Sequence, residues 1–370
     1  MITLLIPTMN RSDFVVRLIQ YYAKNNFKHS ILIGDSSDSI ELNKTKDAVN
    51  NLKSQLNIQH FDYPNLNNFG VMYELIKKVK TPYSTFLPDD DFFVVNSIEK
   101  LLSFMDKNPE YSCAWGKTVI FQLLQNGAYG KMKNLFSNNE ATSFSFMENT
   151  AEERLVSHFN NYTSIHTGIC RTNYLEKALR HSMKMNLTTP NKNQKSWWTS
   201  EQFGEITTSY SLAIQGKIKS LDCLFWVRQH HDQRYGFNNF YDWLTSPNWL
   251  ECFNIQISQL TEDLMKKEGL NEQQASKIIK RILLRGIYER MGDDSEIIKK
   301  NNIDKKVYFT DLIKRIPFAK KGFKFLRKYF AKTTGSKGEL SLTALLDKSS
   351  PYHEDFIPIY DIVTNSSFNK

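Results

Sequence analysis

Along the N-terminal part of the chain, apolar and polar positions switch repeatedly between two periods. Ile2-Thr-Leu-Leu-Ile6 is a continuous apolar run closed by Pro7, which predicts a buried strand. Phe14, Val15, Leu18, Ile19 and Tyr22 then recur at helical spacing, with Ser12 or Asp13 able to cap that helix. The unit repeats. Ser30-Ile-Leu-Ile-Gly34 predicts a second strand, Asp35 to Asp38 a loop, and Ser39 to about Leu56 a polar helix. A third strand near Ile58 to Tyr63 breaks at Pro64-Asn65, and a helix after Gly70 carries Val71, Leu75, Ile76 and Val79 as far as Thr81-Pro82. A fourth apolar run, Thr85-Phe-Leu-Pro88, ends in Asp89-Asp90-Asp91 and turns apolar again at Phe92-Phe93.

Strands alternating with helices predict an α/β fold with a parallel twisted sheet, and such sheets bind ligands beyond the carboxyl ends of their strands. Asn10, Asp35, Tyr63 and Asp89 to Asp91 all fall at those ends. Three adjacent carboxylates repel one another at low dielectric, and a divalent cation would remove that repulsion. Hard oxygen ligands suit Mg²⁺ or Mn²⁺, which recruit phosphate oxygens to complete their shell. The alternative is a solvated acidic turn capping the helix that begins near Asn96. Neither GxGxxG after the first strand nor GxxxxGK[ST] anywhere is present, which argues against a dinucleotide fold and a P-loop.

Leu5-Ile-Pro-Thr-Met-Asn-Arg-Ser-Asp13, Leu32-Ile-Gly-Asp-Ser-Ser37, Phe86-Leu-Pro-Asp-Asp-Asp91 and the pair Glu205 with Gly216 resemble the family 2 glycosyltransferases of GT-A fold, over roughly the first 235 residues. The resemblance implies a Rossmann-like GT-A sheet and an inverting, metal-dependent transfer of sugar from a nucleotide-diphosphate donor. A UDP-sugar is the first expectation. The acceptor would be a hydroxyl of a glycan or lipid-linked glycan in bacterial surface polysaccharide assembly. It also implies that Pro7, Thr8, Asn10 and Arg11 line the nucleotide pocket, that Asp35 meets the base, that Asp89 and Asp90 face ribose and sugar, and that Asp91 coordinates Mn²⁺ or Mg²⁺.

The family usually has Glu-Asp on or entering a helix, with the second acid about three helical turns before a glycine. Here Glu205 stands eleven residues before Gly216, matching the second acid, while Gly204 replaces the first. Glu201 lies one turn earlier on the same face, so either acid could be the base, and either could instead be a helix-start carboxylate satisfying the dipole. Trp197 and Trp198 precede these acids in a polar loop, where one could stack on an acceptor sugar ring. His166 is a further acceptor-binding candidate, or a structural histidine in a strand-like run.

A strand from Leu221 empties into Arg228-Gln-His230-His231-Asp-Gln-Arg234. Arg228 and Arg234 suit a diphosphate through bidentate geometry. Adjacent strand residues point to opposite faces, so one histidine of the pair could join the metal, and His230 is taken as that ligand. The QxxRW pattern of processive synthases is missing, which favours transfer of one residue or a short run.

Helical spacing dominates beyond Gly236, from Trp243 to Leu260, Leu264 to Lys267 and Gln274 to Met291, with Asn271 as a cap. The expected organisation is a catalytic domain over 1–235, a helical appendage over 236–311, a basic amphipathic segment over 312–332 and a tail over 333–370. The net charge of +9 over 370 residues points at first to nucleic acid. Eight cations and no acid fall within 312–332, so the remainder carries about +1, and nucleic acid is not an expected partner. Phenylalanines and Tyr329 interleave with those cations, so the segment suits an anionic membrane surface or serves as a solvated basic linker. Four scattered cysteines without close spacing read as reduced, buried thiols. With no long apolar stretch, the expected location is cytoplasmic, with a peripheral association on the inner face of the plasma membrane through the basic segment. Rival functions are a non-catalytic nucleotide-sugar or glycan-binding scaffold subunit and a Mg-dependent nucleotidyltransferase, although Pro7-Thr8-Met9-Asn10 lacks the latter's glycine-rich loop.

Overall fold

The computed structural model describes residues 1–137, 144–186, 196–232, 240–292 and 340–364. Four parallel strands open the chain: β1 (Ile2–Thr8), β2 (Ser30–Asp35), β3 (Asn57–Asp62) and β4 (Tyr83–Phe86), joined by α1 (Ser12–Lys24), α2 (Ser39–Leu52) and α3 (Asn68–Ile76). Their spatial order is β3-β2-β1-β4. Every residue of β1 is buried, as a central strand covered on both faces requires.

The second half adds β5 (Phe92–Phe93), α4 (Val95–Lys107), β6 (Tyr111–Leu123), β7 (Met132–Ser137), α5 (Ala151–Asn160), a 3₁₀ turn (Ile165–Thr167), β8 (Ile169–Arg171), α6 (Thr172–Asn186), α7 (Ser196–Gln215) and β9 (Lys217–His230). They continue the sheet beyond β4 as β8-β6-β9-β5, and β7 pairs with β6. β8 runs antiparallel to both β4 and β6. The α/β class expected from the sequence, a Rossmann-like sheet followed by C-terminal helices, is the one observed.

Local departures have physical reasons. Arg11 is the N-cap of α1 and makes no side-chain cap bond, while Ser12 Oγ donates to Glu41 of α2 at 2.6 Å instead of capping. α3 begins before Gly70, because Asn67 Oδ1 caps it by accepting from Gly70 N at 2.8 Å. Gly34 lets this helix lie on β2, since a Cβ there would fall 2.3 Å from Val71. β6 is one long strand that bulges at Gly116, where a Cβ would meet the Cys223 carbonyl at 2.5 Å. β7 runs antiparallel to β6.

The appendage consists of α8 (Phe240–Leu244), α9 (Trp249–Glu268) and α10 (Glu272–Gly292). The single helix expected from Trp243 to Leu260 is therefore split, and α9 runs on to a left-handed Gly269 with φ of 68°. Asn271 caps α10 as expected, accepting from Gln274 N at 2.9 Å. Two C-terminal helices, α11 (Leu342–Leu346) and α12 (His353–Thr364), return to the sheet-bearing half. There Asn96 Nδ2 donates to Asp355 at 2.9 Å, Tyr352 OH donates to Asp222 at 2.7 Å, and Gly130 N donates to the Val363 carbonyl at 2.9 Å. The basic segment 312–332 lies outside the described residues. Among those described, no helix is long and apolar enough to cross a membrane, and all four cysteines are buried and outside any disulfide.

Candidate functional site

A cleft of about 280 Å³ opens at the carboxyl ends of β1 and β4. Its floor is Pro7, Thr8 and Arg11 from the end of β1, with Asp89, Asp90 and Asp91 after β4, and its far wall is Ser164, His166, Glu201 and Glu205. Asn67, Asn68 and Phe69 at the start of α3 close one side, and Arg228 of β9 lies beside the acids. The two acid groups are more than a hundred residues apart in sequence, and the crossing of α7 over α3 brings them to one cavity.

The aspartates are buried and individually held. Asp89 accepts from Thr8 Oγ1 at 2.7 Å and from Arg11 Nε at 3.2 Å, with Arg11 Nη2 on its other oxygen. Arg11 Nη1 also reaches Asp90 Oδ2 at 3.1 Å. Burial pushes the Asp89 carboxyl up to about 6 against the pull of Arg11. Burial works against the Arg11 charge as well, yet Asp89 and Asp90 outweigh it and hold Arg11 firmly protonated. Asp91 accepts from Gln229 N at 3.0 Å and Trp226 Nε1 at 2.9 Å. Arg228 Nε stands 3.5 Å from Asp91, and its guanidinium lies over the Trp226 ring at 4.3 Å. The repulsion that suggested a cation is thus relieved in large part by the protein's own guanidinium groups.

The donor set at this tip is nonetheless hard oxygen. Among the described residues no group of three or more His, Cys, Asp or Glu side chains is assembled as a metal cage. The arrangement fits a Mg-type cation, which takes one or two carboxylates and fills its shell with phosphate oxygens and water. Asp91, buried but lining the cleft, is the residue that would hold it.

Several expected residues sit elsewhere. Asn10, with φ of 56°, joins two loops: its amide donates to Ser37 Oγ at 2.7 Å and its Oδ1 accepts from Asp38 N at 2.8 Å. Asp35 is fully buried, accepting from Ser37 N at 2.9 Å with His60 Nε2 at 3.1 Å, and it shapes the loop without lining the cleft. His230 points away from the acids, its Nδ1 3.1 Å from Gln122 Nε2, because register pairs it with Gln122 on β6. Its neighbour His231 is the one that meets them, with Nε2 2.8 Å from Asp90 Oδ2 and its ring stacked on Phe14 at 4.7 Å. Of the two adjacent histidines it is thus His231, and not the His230 taken from the sequence, that lies beside the acids. Arg234 lies outside the described residues. Trp197 and Trp198 fall in the first turn of α7 and not in a loop, and their side chains are not described.

On the opposite wall, Glu201 and Glu205 lie one turn apart on α7 and both face the cleft. Glu205 Oε1 accepts from Tyr162 OH at 3.1 Å and from Ser164 Oγ. Glu201 Oε1 accepts from Asn68 N at 3.0 Å, and burial pushes its carboxyl up to about 8. Gly204 between them faces Phe69, where a Cβ would stand 3.3 Å from the ring, so the acid missing from the pattern is replaced by close packing of α7 on α3. His166 is buried between Phe86 and Phe69, its Nδ1 has no partner, and desolvation keeps it neutral by lowering its pKa.

No family model matches the chain, and no curated protein matches it in sequence. Among solved structures it is similar to S. aureus TarS 1-349, at 15% identity over 76% of this chain and 70% of that one, with a TM-score of 0.46. The complex of TarS 1-349 with UDP-GlcNAc gives the same identity and TM-score, 15% and 0.46, over 76% of this chain and 71% of that one. A longer S. aureus TarS structure gives 15% identity and a TM-score of 0.45, over 76% of this chain and 42% of that one. At this level the likeness decides neither activity nor ligand.

Sequence reasoning passed over Arg17, Tyr162, Ser164, Trp226 and Gln229, all of which touch the site residues. Arg17 alone left a local signal, a cation among the apolar positions of α1.

Proposed function

We infer that the chain is an inverting glycosyltransferase of GT-A type that takes a nucleotide-diphosphate sugar as donor and a glycan or lipid-linked hydroxyl as acceptor. The observation that carries this reading is the division of one cleft into two carboxylate groups with different partners. Asp89 to Asp91 are interlocked with Arg11 and Arg228, a mixed-charge floor suited to a diphosphate, while Glu201 and Glu205 stand on the facing wall with no ion pair among the described residues.

Arg228 suits the diphosphate through its planar fork. A divalent cation held by Asp91 would supply Lewis-acid neutralisation of the leaving diphosphate. Glu205 is assigned as base. Both of its hydroxyl donors meet Oε1, and Oε2 would accept the proton of the acceptor hydroxyl as that oxygen attacks the anomeric carbon from the face opposite the leaving group. One displacement gives inversion. Glu201, protonated near neutral pH, serves as a hydrogen-bond donor within the cleft.

The test is a thermal-shift panel of UDP, GDP and CDP with and without Mn²⁺, on wild type and Asp91→Ala. Ligand at a hundred times its dissociation constant stabilises by about 2.7 kcal/mol. A shift with one nucleotide that requires both Mn²⁺ and Asp91 is expected. Absence of a shift with all three, from folded protein, overturns the reading. Binding without turnover of any tested donor would favour the scaffold reading.

A further inference from the structure

Arg17 has no exposed surface, and among the described residues no salt bridge joins it to a carboxylate. Ionised side chains are almost never fully buried without a paired charge. Burial lowers its pKa to about 10, which still leaves a cation at neutral pH. Its guanidinium is sandwiched near two rings, 5.2 Å from Phe14 and 4.7 Å from Phe92.

Its hydrogen bonds give the reason for a cation there. Nη2 donates to the Asp90 carbonyl at 2.8 Å, and Nη1 donates to the Ala128 carbonyl and to Gln229 Oε1. Gln229 carries the connection in two directions: its Nε2 donates to the Gly127 carbonyl at 2.8 Å, and its backbone N donates to Asp91 Oδ1 at 3.0 Å. The 127–130 turn is in turn tied to the C-terminal helix by Gly130 N on the Val363 carbonyl at 2.9 Å. An unbroken hydrogen-bonded path therefore runs from α12 through one turn and one arginine to the peptide of Asp90 and the carboxylate of Asp91.

We propose that Arg17 is a positioning residue that fixes the Asp90-Asp91 tip for the diphosphate and its cation, and that α12 braces it through the 127–130 turn. This rests on the donor-binding reading of the cleft. Arg17 itself is buried behind the acids and does not line the cleft. A planar fork can reach acceptors on three separate segments at once, whereas a lysine ammonium on a flexible stem reaches them poorly.

The test compares wild type, Arg17→Lys, Arg17→Met and Gln229→Met as full-length chains. Two quantities are read below the melting temperature: the Kd for UDP, GDP and CDP with Mn²⁺ by calorimetry, and the ligand-free hydrogen exchange of the Asp91 amide, which donates to the Pro88 carbonyl at 3.2 Å. The expected result is a Kd raised about tenfold in Arg17→Lys and further in Arg17→Met, with faster exchange at Asp91 and unchanged protection in β1 and β2. A Kd within twofold of wild type in a folded variant overturns the proposal. So does a uniform loss of protection across the sheet, which marks a purely structural role. If the Arg17 variants do not fold, Gln229→Met decides by the same two readings. If wild type binds none of the three nucleotides, the donor-binding reading fails, and Asp91 exchange in the variants still decides whether Arg17 fixes the tip.

Discussion

Glu201 and Glu205 stand one turn apart on the same face of α7, yet among the described residues only Glu205 is met by hydroxyl donors, while Glu201 rests on the amide of Asn68. Burial raises the proton affinity of Glu201, whose carboxyl is pushed up to about 8. Glu205→Gln is expected to lower transfer by at least 10²-fold, the lower range for removing a general base, with donor affinity retained. Glu201→Gln, which mimics the protonated acid, is expected to keep activity within a few fold. Steady-state kinetics of the two variants separate the roles, and the reverse pattern would move the base to Glu201.

The raised pKa of Glu201 has a consequence for stability. Between the ordinary carboxyl value and about 8 the folded state holds a proton that the unfolded state has released. Stability therefore declines as pH rises through that window, by up to about 1.4 kcal/mol per unit from this group. In Glu201→Gln that decline should be shallower. Melting temperatures of both proteins from pH 5 to 8.5 test it, and parallel curves would show that Glu201 is ionised in the folded protein.

The two adjacent histidines should respond differently to truncation. His231 is buried, stacked on Phe14 and bonded to Asp90, whereas the bond of His230 to Gln122 is exposed. His231→Ala is expected to cost about 2 kcal/mol, the scale of a hydrogen bond to a charged group plus lost packing, and His230→Ala within about 0.5 kcal/mol. Denaturant midpoints measure both, and equal effects would refute the assignment of faces.

A buried carboxylate outside the cleft ties α9 to α6 and α7. Asp263 of α9 is fully buried and receives His181 at 3.0 Å, Lys177 at 2.6 Å and Ser211, from α6 and α7. Removing one partner of such a cluster leaves the others unpaired, so Asp263→Ala should destabilise by about 3 kcal/mol. Urea unfolding tests this, and a loss below 1 kcal/mol would mean that the cluster does not clamp the helices.

The local order of the N-terminal half was legible in the chain itself. With Thr8 and Arg11 added only by the family resemblance, hydrophobic period separates a buried strand such as Ile2–Thr8 from the helix after it, and strand ends mark where polar residues gather, so Asp89 to Asp91 could be placed at the crevice. Short-range steric and hydrogen-bonding rules suffice for that much. Tertiary structure alone decided which partner each polar atom found. Asp35 was turned inward by His60 from the neighbouring strand, and His231 was set against Asp90 by the register of β9 on β6. Arg17 was buried where three distant segments present oxygens to it. Such contacts span up to about two hundred residues of chain, and no local pattern encodes them, because each depends on where the packing of other elements leaves an unsatisfied donor or acceptor.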